Sequence, residues 1–205
     1  MWYLIFYGIV IFAGLAMTVR EGLWSNTLTL ISIIISGLVA FGFYSCLVVY
    51  LDEEKTNGQH TYWLDFAIIW ALYCATMVIV RTLFASASKT RMRFKHPIDP
   101  VGGPIVGFLA AWVLAGFTLA TFHTAPMPKN AFSGKLASAN DVESASILMS
   151  PDAVWLNFMK SMSDPSVFGM DSTDRFGSKG FVTMYALHRK AFEGAPGLIV
   201  TRTKK

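Results

Sequence analysis

Thirty consecutive residues, from Gly22 to Leu51, contain no charged side chain. Few folds can use such a run. A helix rises about 1.5 Å per residue, so about 20 apolar residues cross the roughly 30 Å hydrocarbon core of a bilayer. The pattern recurs along the chain. Met1 to Val19 and Gly102 to Phe122 are also charge-free, and Tyr62 to Phe84 carries only Asp65 and Arg81, near its two ends. That separation is about 24 Å along a helix, which lets each side chain reach toward its own headgroup region. Aromatic residues mark several span ends, as an interfacial belt does: Trp2 and Tyr3, Trp24, Tyr50, Tyr62 and Trp63. The expectation is an all-α integral membrane protein. About four transmembrane helices, near 1–19, 25–50, 62–84 and 102–122, form one domain over residues 1–122.

Charge supports this reading. Only 15% of the 205 residues are charged, against about 25% in soluble domains. An ordinary soluble enzyme is not expected on that ground. The net charge of +4 is spread without a basic stripe interleaved with aromatics, so no nucleic-acid partner is expected. The first span lacks a positive residue before it and an A-x-A site after it, so it reads as a retained anchor rather than a cleaved signal.

Loop charge sets the expected orientation. The loop around residues 85–101 carries Lys89, Arg91, Arg93 and Lys95, whereas the loop around 51–61 sets Lys55 against Asp52, Glu53 and Glu54. The basic loop is therefore expected in the cytoplasm, with both termini on the non-cytoplasmic side. Within lipid, close backbone approach through small residues drives helix association. Gly103, Gly107, Ala111 and Ala115 recur at four-residue spacing in the fourth span, and Ser32, Ser36 and Ala40 in the second. Both stripes are expected to be packing faces, and Gly102 and Pro104 are expected at the start of the fourth helix. Asp99 has two open readings: a turn residue suited to the start of that helix, or a clamp on Arg20 or Arg81. Asp65 reads as a solvated interfacial acid, with a place in an ion pathway as the alternative.

The tail divides into a linker, 123–149, and an extramembrane helical segment, 150–205. Ser150-Pro151-Asp152 is a strong helix start. Val154, Trp155, Phe158, Met159 and Met162 follow on one face, up to Pro165. A second helix is expected from about Phe181 to Glu193, ended by Gly194. Two short helices cannot bury a substantial core alone, so they should lean on the membrane surface, on the bundle or on a partner. Trp155 and Phe158 are the expected partner contacts.

Chemical motifs are scarce. Cys46 and Cys74 fall inside apolar spans, where they read as packing residues. His60, His96, His123 and His188 have no metal-ligand spacing, and there is no G-x-S-x-G or Walker A sequence. No catalytic residue, cofactor or metal is expected, and an enzyme is not.

Two segments carry a family resemblance. One is Val19-Arg20-Glu21-Gly22-Leu23-Trp24-Ser25-Asn26, leading into the second span. The other is Ile98-Asp99-Pro100-Val101-Gly102-Gly103, leading into the fourth, with Gly107 one turn on. Over roughly residues 1–125 the chain resembles the colicin V production protein (CvpA) family of small bacterial inner-membrane proteins, and its long tail is similar to the planctomycete-type variant. The resemblance implies that Arg20, Glu21, Gly22, Asp99, Gly102, Gly103 and Gly107 are family-motif positions. It also implies a bacterial inner-membrane location and a role in toxin production or export and envelope homeostasis. A non-enzymatic assembly or accessory factor, contacting the bilayer and other envelope or secretion proteins or a second copy of itself, is the expected function. The alternative is an oligomeric channel or transporter, with Ser32, Ser36, Thr76 and Thr118 as the few polar side chains that could line it.

Overall fold

A computed structural model describes residues 2–18, 21–55, 63–87, 98–127, 136–144, 150–167 and 176–194. Among them all regular structure is helical: α1 (Trp2–Thr18), α2 (Leu23–Lys55), α3 (Leu64–Ala87), α4 (Ile98–Thr121), α5 (Pro151–Met162) and α6 (Ser178–Gly194). Helices satisfy their backbone groups internally, which an apolar medium demands. Three are long and apolar enough to cross a membrane: α2 over Leu23–Leu51, α3 over Leu64–Ala87 and α4 over Asp99–Thr121. The fourth apolar helix, α1, is 17 residues long, short of the usual spanning length.

α4 is the axis of the bundle. Its apolar window is 56% buried, against 17% for that of α3, so α3 is the outer flank. α1 runs antiparallel along α4, with Gly14 beside Ala111; a Cβ on Gly14 would stand 2.7 Å from the Ala111 Cβ. α2 runs parallel to α4, and α3 returns antiparallel to α2, with Arg81 beside Thr29 and Met77 beside Ser36. The small residues at 103, 107, 111 and 115 are all buried, as are Ser32, Ser36 and Ala40. Close approach is what they provide. Ser32 donates to the Leu28 carbonyl (2.7 Å), Ser36 to Met77 Sδ (3.7 Å) and Thr118 to the Leu114 carbonyl (2.8 Å).

Three details differ from the sequence expectation. α4 starts at Ile98, four residues earlier than expected, so Pro104 lies inside the helix rather than at its start. There it removes the bond that would reach the Pro100 carbonyl. Cys46 and Cys74 are exposed among the described residues rather than packed in the interior. The stretch expected to be a linker contributes to the interior, where His123 and Val142 are fully buried and Thr124 and Ala125 nearly so.

The tail is built onto the side of the bundle. An aromatic knot joins four helices: Tyr73 of α3 stacks on Phe117 of α4 at 4.3 Å, with Phe41 of α2 at 5.8 Å and Trp155 of α5 at 5.5 Å from the same ring. Such pairs add about 0.5–1.5 kcal/mol each beyond their buried area. Gly37 makes room for the indole, since a Cβ there would lie 2.5 Å from it, and Gly116 admits the Pro151 carbonyl in the same way, at 2.9 Å. Gly37 lies about 21 Å along α2 from Leu23. The tail helix therefore rests against the mid-length of a spanning helix. α6 follows, with Phe181 against Phe41 (5.8 Å) and the Tyr185 hydroxyl 3.4 Å from that of Tyr44.

Candidate functional site

The start of α2 poses a local problem. Its first N–H groups have no intrahelical acceptor, and the N-cap position is Gly22, which has no side chain to offer. The acceptor comes from another helix: Leu23 N–H donates to Asp99 Oδ1 at 2.7 Å, a charge-assisted bond at the positive end of the α2 dipole. Gly22 is what lets the carboxylate in, because a Cβ there would stand 3.1 Å and 3.2 Å from its two oxygens. Asp99 thus begins its own helix in sequence and caps a different one in space.

Asn26 extends this clasp one turn further. Fully buried, its Nδ2 donates to the Thr18 carbonyl (3.1 Å), the Gly103 carbonyl (2.8 Å) and, at longer range, the Glu21 carbonyl (3.4 Å). One amide therefore ties the last turn of α1, the connecting loop and the first turns of α4. Gly107 faces the same amide: a Cβ there would meet Thr18 Oγ1 at 2.8 Å and Asn26 Nδ2 at 3.2 Å. Gly103 and Gly102 lie against Glu21 and Leu23, and Glu21 itself accepts from the Ser25 hydroxyl.

The structure thus brings Glu21, Gly22, Asp99, Gly102, Gly103 and Gly107 to one face of the bundle. Arg20 lies outside the described residues. Of the readings of Asp99, the described contact is with the α2 backbone. Arg81 instead donates to Thr29 Oγ1 at 2.9 Å. Asn26 had no assigned role in the sequence, although an amide four residues into a charge-free span has to find partners. The helix start at Gly22, with no capping side chain of its own, was the other available signal.

A second polar cluster closes the opposite end of α4. His123 Nε2 and Asp152 Oδ2 lie 3.0 Å apart, both side chains at 0% exposure. The same carboxylate oxygen accepts the Ala137 N–H at 2.8 Å. Burial alone would push the Asp152 carboxyl up, but the hydrogen bond and attraction from His123, with backbone N–H donors from Ala137 and Ala153, hold it below the usual carboxylate range. The expected Ser150 cap makes no side-chain bond. In its place Asp152, in the first turn, docks α5 to the end of α4. Neither residue was singled out as a site from the sequence, because they lie 29 positions apart and share no motif spacing.

Trp155 and Phe158 take different roles from those expected. Trp155 is only 4% exposed, so the surface it was expected to offer a partner is occupied by the chain's own α2 and α4. Phe158 is half-buried and, with Ile34, Trp112, Val113 and Trp155, borders an apolar cavity of about 130 Å³ between α2, α4 and α5. Among the described residues no group of three or more His, Cys, Asp or Glu side chains is placed to hold a metal.

No curated protein and no solved structure matches the chain. A family model, that of the colicin V production protein, matches residues 4–148. The match takes in all four apolar helices and both sides of the Asp99–Asn26 clasp. It runs on through His123 and Ala137 and ends just before α5. The chain belongs to the colicin V production protein family.

Proposed function

We propose that this chain is a non-enzymatic accessory factor of the bacterial inner membrane that supports peptide-toxin production or export and envelope homeostasis by holding other envelope proteins. The observation that carries the reading is how the family-motif face is used. The Asp99 carboxylate and the Asn26 amide are spent on backbone groups of neighbouring helices, and the glycines are spent on close approach. Residues built in this way shape a scaffold. In the same reading α1 is a fourth span, the basic loop is cytoplasmic and both termini lie outside. Partners then meet the outer face of the tail, where Met184 and Leu187 of α6 are exposed, or a second copy of the chain.

The test is complementation. A toxin-exporting host lacking its own family member is given this chain, and secreted toxin is read by growth inhibition of a sensitive strain. The wild type should restore export, and the doubly polar Met184→Gln, Leu187→Gln variant should not, although it inserts normally. Failure of the wild type to restore export overturns the role. Reproducible conductance steps in a planar bilayer, changed by Ser32→Ala or Ser36→Ala, would replace it with a channel. Cysteines introduced at Glu53 and Lys129 should label from outside in intact cells, and labelling at Arg91 instead would invert the orientation.

A further inference from the structure

Arg81 is the one described cation within the three spanning windows. It is exposed on the outer flank of α3. One arm, Nη2, donates to Thr29 Oγ1 at 2.9 Å, and the Thr29 side chain is itself buried against the bundle. The hydroxyl therefore orients one arm of the guanidinium. Thr29 lies about 9 Å along α2 from Leu23, just inside the end of the bundle closed by Asp99.

A guanidinium keeps its proton inside a protein and presents five N–H donors in a planar fork. Thr29 takes one. Among the described residues no carboxylate lies within ion-pair distance of Arg81, and two acids described at the same end of the bundle are engaged: Asp99 on the Leu23 N–H, Glu21 on Ser25. The loop that follows α3 cannot supply one, because residues 85–97 contain four cations and no acid. A charge near the edge of the hydrocarbon without a counter-ion is costly, and the headgroup of an anionic lipid can supply one.

The surface leading away from Arg81 has the character of an acyl-chain track. Val78, Cys74 and Ala71 follow it toward the middle of the bilayer at helical spacing, all exposed and none charged. We propose that Arg81 and Thr29 form a binding site for the phosphate of an anionic phospholipid, with one acyl chain lying along this face of α3. The fork matches two phosphate oxygens, and the basic loop raises the local concentration of anionic lipid. The site lies in whichever leaflet meets the Asp99 end of the bundle, so it does not depend on the orientation or the accessory role proposed above.

The test uses the full chain, purified in detergent and titrated with phosphatidylglycerol or phosphatidylcholine, with lipid retention read by native mass spectrometry and folding by thermal unfolding. Phosphatidylglycerol should be retained preferentially and raise the unfolding temperature. Arg81→Gln should cut that preference about fivefold, the loss expected for one basic residue near the lipid surface. Arg81→Lys, which keeps charge without the fork, should fall between them and preserves the span if the glutamine variant fails to fold. Thr29→Val should weaken retention while the lipid preference persists. An undiminished preference in folded Arg81→Gln or Arg81→Lys protein overturns the site, as does a preference abolished only by neutralising Lys89, Arg91, Arg93 and Lys95. Inorganic phosphate should produce no shift. An equal shift from phosphate would mean a soluble-anion site and overturn the lipid assignment.

Discussion

The two ends of α4 are fastened by different chemistry. At its start Asp99 and Asn26 address backbone groups, the N–H that begins α2 and the carbonyls near the ends of α1 and α4. At its end His123 and Asp152 address each other, side chain to side chain, with neither exposed. Stranded backbone groups are the commonest polar problem in a membrane bundle, because every helix end supplies some, and small motif residues at fixed spacing solve it. A buried, hydrogen-bonded His–Asp pair answers a different need. It offers little net stability over an apolar pair but penalises loss of either partner, which suits a joint that must fix the register of α5 on the bundle.

That asymmetry predicts which end is easier to break. His123→Ala leaves the Asp152 carboxylate buried with only backbone donors, a loss of about 3–5 kcal/mol. It should free α5 while sparing α1–α4. In limited proteolysis the tail should be released and the spanning core should survive. At the other end, Asn26→Leu removes the side-chain bonds to the Thr18 and Gly103 carbonyls, which keep their backbone donors, at about 0.5–1.5 kcal/mol each. Its effect should fall on α1, detected as faster labelling of a cysteine introduced at the half-buried Leu15. If His123→Ala loosens α1 as much as α5, the two joints are a single cooperative unit.

Much of the bundle was legible in the sequence because the bilayer imposes a length and a polarity on each span. The stripes at 103, 107, 111 and 115 and at 32, 36 and 40 are buried, as small residues at helical spacing should be. The tail was less legible. Trp155 was expected to contact a partner because nothing in its own segment could bury it, and the space that receives it is made by Gly37 and Gly116, over 30 positions away. The same holds for His123 with Asp152 and for Asp99 with Leu23. Local patterns fix helices and their faces, but not which orphaned group meets which donor across a bundle.

A smaller effect separates the two joints by pH. The Asp152 carboxyl is held below its ordinary value of 3.8 by His123 and the backbone donors. The ionised group therefore stabilises the docked tail at every pH above that value, and the contribution is lost as pH falls through the lower folded value. Tail release in limited acid proteolysis should rise below about pH 4. In Asp152→Asn that acid-dependent step should vanish, leaving a tail equally loose at pH 6. A wild-type tail that stays docked to pH 2 would mean that aromatic packing around Phe117, rather than the charge, fastens α5.

The smallest effect belongs to Asp99, and it tests whether the start of α4 needs a charge at all. Removing a helix cap costs about 0.5–2 kcal/mol, so Asp99→Ala should lower the unfolding temperature in detergent modestly. The neutral isostere is the sharper probe. Asn at position 99 keeps an acceptor oxygen for the Leu23 N–H and loses only the attraction to the α2 dipole, about 0.3–1 kcal/mol. If Asp99→Asn unfolds close to wild type while Asp99→Ala does not, the contact works as an acceptor for a stranded N–H. If the two variants are equally weak, charge matters more than geometry, and the clasp would then resemble the His123–Asp152 joint more than its backbone-directed bonds suggest. Asp99 is half-buried whereas Asp152 has no exposure, and water or headgroups can screen a half-buried charge. The acceptor outcome is therefore the one expected.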